Sequence, residues 1–128
     1  MPERPKVLVL DDSDLALELA KHVLEAAGMA VECAQDLAAF EALRGTTEPD
    51  VILVDVHMPE VFGDDLAGTL RGVYGIRVPI LLFSSLDEVE LARRAHEAEV
   101  DGWISKQAGP KVLVERVRNA LAKAEVAP

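Results

Sequence analysis

KVLVLDDSDLA, residues Lys6 to Ala16, joins a run of apolar side chains to a cluster of acidic ones. The first predicted strand is Lys6 to Leu10, whose apolar run from Val7 shows no polar alternation, which is typical of a strand covered on both faces. The run ends at Asp11 and Asp12. A strand that is buried along its length therefore brings two adjacent carboxylates to one edge of the predicted sheet.

Similar apolar runs recur along the chain and predict a series of strands. The segments between these runs have the residue spacing of amphipathic helices. Apolar residues recur every three or four positions in Asp14 to Ala27, and Gly28 follows where a helix end favours glycine. Asp87 with Glu90 resembles a capping box, and Pro110 suits a first helical position. The further predicted strands are Ala30 to Cys33, Val51 to Val54, Pro79 to Phe83 and Gly102 to Ser105; the further helices are Asp36 to Leu43, Asp64 to Val73, Asp87 to Ala98 and Pro110 to Ala124.

Five strands alternating with five helices indicate βαβ units with right-handed crossovers. We therefore expect an α/β, doubly wound parallel sheet with helices on both faces. We also expect a single domain over residues 1–128, with its core over about residues 5–124 and a short carboxy-terminal tail.

Composition narrows the possible functions. The 13 Lys and Arg against 23 Asp and Glu give a formal net charge of −10, which argues against direct nucleic-acid binding. The start MPERPK lacks the apolar stretch of a signal peptide, and no apolar run is long enough to span a membrane, so we expect a cytoplasmic location. Cys33 is the single cysteine and is assigned no function.

Polar residues collect at the carboxyl ends of the predicted strands, where ligands bind in sheets of this type. Asp11 and Asp12 end the first strand, Asp55 the third, Ser84 the fourth, and Lys106 follows the fifth. Two carboxylates about 4 Å apart repel by roughly 1 kcal/mol in water and about 4 kcal/mol at an effective dielectric of 20. A hard cation such as Mg²⁺ would neutralise them.

Each of these residues also has an ordinary interpretation when it is taken alone. Asp-Asp-Ser-Asp after a strand suits a turn and a helix cap, and Asp55 suits a capped loop. Ser84 can be a hydrogen-bonded hydroxyl and Lys106 a solvated lysine. Their joint position at the ends of different strands favours a common site.

The sequence resembles the receiver domain of bacterial response regulators of two-component systems, and is similar to the single-domain chemotaxis regulators. The resemblance covers essentially the whole chain. It implies a flavodoxin-like sheet of strand order 2-1-3-4-5. Its motifs are VLVLDDS at Val7 to Ser13, DVILVDVHMPEVFG at Asp50 to Gly63, ILLFSS at Ile80 to Ser85 and DGWISK at Asp101 to Lys106.

The resemblance implies a role for each polar residue. Asp55 would accept a phosphoryl group from a histidine kinase or phosphotransfer protein, as a switch and not as an enzyme beyond its own phosphorylation and autodephosphorylation. Asp12 would bind Mg²⁺ directly and Asp11 through water, with Asp55 and the backbone carbonyl of His57 as further ligands. Lys106 would contact the phosphoryl oxygens and Asp55.

The switch itself would be Ser84, which moves to the phosphoryl group, and Trp103, which changes rotamer. The output would be altered affinity for a downstream protein partner or output domain, through a face made of roughly Asp87 to Ala124. Two readings of Trp103 stay open, since a half-buried indole that never moves is equally consistent with the sequence. The His57 imidazole either tunes water access to the acyl phosphate or is an exposed loop side chain.

The chain departs from the family pattern at several positions. Gln107 stands where proline usually supports a cis peptide after Lys106. Glu99 and Val100 replace a common Gly-Ala pair, so the preceding helix lacks its glycine cap. Trp103 replaces a smaller aromatic residue, and Ser85 a small apolar one.

Two alternative functions stay open. A pseudo-receiver would keep the fold as an interaction module without using phosphate. A small aspartyl-phosphate phosphatase would instead be phosphorylated on Asp12, since Asp12-Ser13-Asp14 superficially resembles the motif of haloacid-dehalogenase phosphatases. Which aspartate carries the phosphoryl group separates the receiver from the phosphatase.

Overall fold

A computed structural model of the chain describes residues 4–44, 48–57 and 63–126. Within them, five parallel strands form one sheet in the order β2-β1-β3-β4-β5, which confirms the predicted fold class and strand order. The elements are β1 (Lys6–Leu10), α1 (Asp14–Ala26), β2 (Ala30–Ala34), α2 (Leu37–Arg44), β3 (Val51–Val54), α3 (Gly63–Gly72), β4 (Ile80–Ser84), α4 (Glu88–Glu97), β5 (Gly102–Ser105) and α5 (Pro110–Val126).

The predicted elements all form, and their bounds differ from the predictions by at most two residues. β4 is the shift that matters for the site, since it begins at Ile80 and ends at Ser84, not at Phe83. Ser84 pairs with Ser105 of β5. The backbone of Ser84 is thus held by strand pairing and does not lie in a free loop.

Both faces of the sheet are buried. Side chains alternate across β1, so that Val7 and Val9 pack with α1 and α5 while Leu8 and Leu10 pack with α2 and α3. Burial of each such side chain contributes about 1.5–3 kcal/mol relative to exposure. Because the faces are occupied by apolar contacts, the strand ends are left for polar chemistry. None of the helices in the described ranges has the length and apolarity to cross a membrane.

An arginine fixes the amino ends of β4 and β5. Arg71 Nη1 donates to the carbonyls of Ile76 and Val78, at 3.2 and 3.0 Å, and Nη2 lies 2.6 Å from Asp101 Oδ2. The same carboxylate oxygen accepts from Ile80 N at 2.8 Å. The start of β5 is thereby tied to the start of β4, which sets where the other ends of these strands emerge.

The end of α4 adopts a glycine-type cap without a glycine. Glu99 has a φ of 57°, in the left-handed region. Its N–H donates to the His96 carbonyl at 3.1 Å, and Val100 N donates to the Ala95 carbonyl at 3.2 Å, which is the pattern of a Schellman motif. The predicted loss of the glycine is therefore met by a strained glutamate and not by a different helix end.

Glu99→Gly should stabilise the protein by about 0.5–1 kcal/mol, because glycine adopts a positive φ without the steric cost that a Cβ adds. Urea unfolding followed by circular dichroism measures the change. Ala98→Gly is the matched control, since Ala98 has a φ of −80° and should be destabilised by glycine. Equal destabilisation by both substitutions would contradict the account of this cap.

Candidate functional site

Three aspartates meet at the carboxyl ends of β1 and β3. One carboxylate oxygen from each of Asp11, Asp12 and Asp55 lies within 4.8 Å of the others. Strand pairing continues past the strands to fix two of them, since Asp55 N donates to the Leu10 carbonyl at 2.9 Å and Asp11 N to the Ala34 carbonyl at 3.1 Å. The predicted acidic cluster therefore forms, and the backbone holds Asp11 and Asp55 in place.

The three carboxylates differ in their exposure to solvent. Asp11 is fully buried, Asp55 is 6% exposed and Asp12 is exposed. Ser13 follows them as the N-cap of α1, and its hydroxyl accepts from Ala16 N at 3.2 Å. The exposed Asp12 leaves one side of the cluster open to solvent, while the other two acids form its floor.

Lys106 supplies the positive charge of the site. Its Nζ lies 2.6 Å from Asp11 Oδ2 and 3.5 Å from Asp55 Oδ2. Its backbone N–H donates to the Ser84 carbonyl at 2.8 Å, and its ammonium lies 5.6 Å from the centroid of the Phe83 ring. The structure thus brings the predicted lysine to the acids, with its nearer contact to Asp11.

The two oxygens of the buried Asp11 carboxylate have different partners. Asp11 Oδ1 accepts from Ser13 N at 2.9 Å, whereas Asp11 Oδ2 is paired with the ammonium of Lys106 at 2.6 Å. Buried carboxylate oxygens normally have full complements of partners. Three carboxylates within 4.8 Å of one another, with Lys106 as their nearby cation, are a donor set that fits Mg²⁺, which takes hard oxygen ligands.

The pKa of Asp55 is raised above its usual value. Burial is the main cause, and the nearby negative charge of Asp11 adds to it. The charge of Lys106 and the N–H of His57, which donates to Asp55 Oδ1 at 3.3 Å, act in the opposite direction. A charged Asp55 is therefore under-compensated in the protein without a cation.

Ser84 and His57 flank this cluster in different ways. Ser84 is fully buried, and its hydroxyl accepts from Leu86 N at 3.3 Å. His57 is exposed, and its backbone N–H bonds to Asp55. A metal contact by the His57 carbonyl stays a prediction, as does a tuning role for its imidazole.

The backbone N–H of Gln107 donates a hydrogen bond that a proline, which has no N–H, could not donate. No peptide bond in the described ranges is cis, and Gln107 N donates to Ser105 Oγ at 3.1 Å. The N–H of Gln107 thus anchors the chain directly after Lys106. With Gln107 in place of the usual proline, Lys106 still contacts Asp11 and Asp55.

Trp103 is half-buried on β5, opposite Leu82 of β4. It packs against a small apolar cluster that includes Leu91 and Ala95 of α4. Arg116 of α5 covers the ring, with its Cζ 4.8 Å from the ring centroid. The sequence did not single out Arg116, because the contact joins residues thirteen apart that lie on different elements and follow no shared local pattern.

Comparison with known proteins places the chain in a family. The family model described as "Response regulator receiver domain" matches residues 7–118. The chain belongs to the response regulator receiver domain family, whose members are signalling switches of two-component systems.

Individual relatives agree with this assignment. The gliding motility regulatory protein of Myxococcus xanthus is 35% identical over 118 residues, which are 90% of this chain and 15% of that protein. The receiver domain of Francisella response regulator 1452 is 29% identical with a TM-score of 0.82, over 94% of this chain and 99% of that one. The chemotaxis response regulator CheY4 of Vibrio cholerae is 28% identical with a TM-score of 0.78, over 91% and 98%.

The chain matches only part of its curated relatives. It spans 15% of the Myxococcus protein and about half of several other curated relatives, including proteins named as transcriptional regulators. The comparison therefore identifies the receiver domain and leaves the output as a matter for proposal.

Asp55→Asn should make the metal-free protein more stable at neutral pH, and the gain should shrink as the pH falls. Because the pKa of Asp55 is raised in the folded state, folding favours the protonated carboxyl. The stabilisation by this carboxyl is fully present below its unfolded pKa, about 3.9, and is lost as the pH rises through its folded pKa. Carboxylates within 4.8 Å repel by about 1 kcal/mol even in water, so the gain at pH 7 should be of this order.

Urea unfolding without divalent cations, at several pH values between 4 and 7.5, measures this gain. Asp65→Asn removes an exposed carboxylate of α3 and controls for the loss of one charge from an acidic chain. A variant of Asp55 that is no more stable than the control at pH 7 would show that Lys106 already neutralises the cluster.

Proposed function

We propose that this receiver domain is a switch in which Asp55 accepts a phosphoryl group, with Mg²⁺, from the phosphohistidine of a histidine kinase or phosphotransfer protein. The observation that carries the proposal is the grouping of Asp55 with two further carboxylates and Lys106 at one end of the sheet. A group of this kind can both attract a cation and receive a phosphoryl group.

The chemistry is a displacement at phosphorus. An oxygen of Asp55 attacks the phosphorus atom, the bond between phosphorus and the histidine nitrogen breaks, and the imidazole leaves with its electron pair. A carboxylate is a weak nucleophile, so the protein contributes by positioning and by charge. The Asp55 N–H and the His57 N–H hold the attacking group in place on the β3 end.

Mg²⁺ would be held by Asp11, Asp12 and Asp55, with the backbone carbonyl of His57 as a further ligand. When bound, it would neutralise the negative charge that collects on the transferring group and on the acids. The grouping of three carboxylates within 4.8 Å supports this assignment, because their mutual repulsion favours a bound cation.

Lys106 would stabilise the phosphorylated state. Its ammonium lies 3.5 Å from Asp55 Oδ2 and is held nearer to Asp11, from which it would shift toward the phosphoryl oxygens. It would thereby couple the acyl phosphate to β5, the strand that it follows.

Ser84 and Trp103 would transmit the event. Ser84 is buried at the end of β4, from which its hydroxyl would move to bond the phosphoryl group. Trp103 lies on the neighbouring strand and packs toward α4. The output would be changed affinity for a protein partner or an attached output domain, through the face formed by α4, β5 and α5.

Phosphorylation of the wild-type protein by acetyl phosphate with Mg²⁺ should be lost in Asp55→Asn and kept in Asp14→Asn. Asp14 is an exposed acid in the first turn of α1 and therefore serves as the matched control. Intact-protein mass spectrometry detects the added phosphoryl group, and peptide mapping locates it.

The possible results separate the three candidate functions. A phosphoryl group on Asp12 would favour the phosphatase and overturn the assignment of Asp55. An unmodified protein that also fails to accept phosphate from partner kinases would favour the pseudo-receiver.

Lys106→Ala should retain Mg²⁺ binding and lose the response to beryllofluoride, an analogue of the phosphoryl group. The carboxylates stay in this variant, while the charge that would contact the phosphoryl oxygens is removed. The fluorescence of Trp103, the single tryptophan, is measured during titration with Mg²⁺ and then with beryllofluoride. Circular dichroism checks that the variant is folded. A full fluorescence response to beryllofluoride in Lys106→Ala would contradict the role of Lys106.

A further inference from the structure

Trp103 is held between two different kinds of surface. On one side it meets the apolar cluster that contains Leu82 of β4 and Leu91 and Ala95 of α4. On the other side it meets the guanidinium of Arg116, which is partly buried on α5. The ring thus lies where α4, β5 and α5 come together.

Arg116 contacts Trp103 twice. Its Nη1 donates to the backbone carbonyl of Trp103 at 2.7 Å, and its Cζ lies 4.8 Å from the centroid of the indole ring. The guanidinium is planar, stays charged at all ordinary pH values and stacks well on aromatic faces. One side chain therefore anchors both the backbone and the ring of the same residue.

We propose that Arg116 is a positioning residue that holds Trp103 in its present rotamer and so sets the balance between the resting and the activated switch. The inference rests on the proposed function, in which Trp103 changes rotamer when Asp55 is phosphorylated. It adds a specific residue on α5 that opposes this change.

The two contacts respond differently to a movement of the ring. The hydrogen bond to the carbonyl depends on the backbone and persists when the indole turns about its own bonds. The cation–π contact depends on the ring and is lost when the ring leaves the guanidinium. Arg116 is thus kept in place to favour one ring position, and every departure from that position loses a favourable contact.

Neither Trp103 nor Arg116 is fully buried, so packing does not enclose their contact on all sides. Both residues are among those that line an open cavity of about 920 Å³ at the amino ends of β4 and β5. A contact that is not enforced by tight packing on all sides can act as a bias between two positions. The range measured for cation–π contacts corresponds to about a 2- to 30-fold shift in such an equilibrium.

The test compares Arg116→Met with Arg118→Met. Methionine keeps an unbranched chain beside the ring and removes the charge. Arg118 lies on the same helix and donates instead to the Ala27 carbonyl at 3.1 Å, so its replacement controls for the loss of one arginine from α5. Arg116→Lys keeps the positive charge but loses the planar guanidinium, so its effect should lie between those of the wild type and Arg116→Met.

Two measurements are made on the full chain. Isothermal calorimetry gives the affinity for beryllofluoride in saturating Mg²⁺, and time-resolved fluorescence of Trp103 reports its rotamer populations in the resting protein. Arg116→Met should bind beryllofluoride about 2- to 30-fold more tightly, because a larger fraction already occupies the competent state. The same variant should show a larger share of a second fluorescence lifetime.

A contact that only stabilised the fold would not tighten binding. Unchanged or weakened affinity in Arg116→Met, or the same shift in Arg118→Met, would overturn the inference while the wild-type binding still supported the proposed function. Wild-type protein that bound no beryllofluoride would instead overturn the proposed function, and with it the regulatory role of Arg116.

Discussion

The mutual repulsion of three carboxylates, two of them held in place by backbone pairing, is the constraint on which the rest of the site depends. Asp11 and Asp55 cannot separate, because the backbone N–H of Asp55 bonds to the end of β1 and that of Asp11 to the end of β2. Within the described ranges, Lys106 is the cation that the structure places against both. The protein therefore maintains a site that is short of positive charge, which is the condition that makes a cation and a phosphoryl group matter to its conformation.

Burial of the apolar sheet offsets the free-energy cost of holding these carboxylates together. Strands covered on both faces, such as β1 and β3, are rigid supports whose burial outweighs the local cost of the charges. Other local costs are accepted in the same way, as at Glu99, whose left-handed backbone closes α4 and leads the chain into β5. Strain and repulsion both lie at the ends of elements, where the core holds the backbone in place.

β5 connects the charged end of the sheet to the α4 and α5 side. Lys106 follows the strand and contacts the acids, while Trp103, three residues earlier, contacts α4 and Arg116 of α5. A change in the charge near Lys106 and a change in the position of Trp103 act on the same short strand. This arrangement gives a physical route between the site and a surface that can meet a partner, without requiring large movements of the core.

The sequence by itself determined the element order, the parallel sheet and the residues that meet at its carboxyl end. A strand buried on both faces is a continuous apolar run in the sequence, and the polar residues directly after the run mark its end. Only the tertiary structure decided which groups pair. Lys106 lies nearer to Asp11 than to Asp55, Glu99 takes the glycine position, and Arg116 covers Trp103. These outcomes depend on distances between side chains from separate elements, which no local spacing encodes. The strand ends were predictable because the backbone fixes them, whereas the contacts of long side chains are chosen among several nearby partners only after the chain has packed.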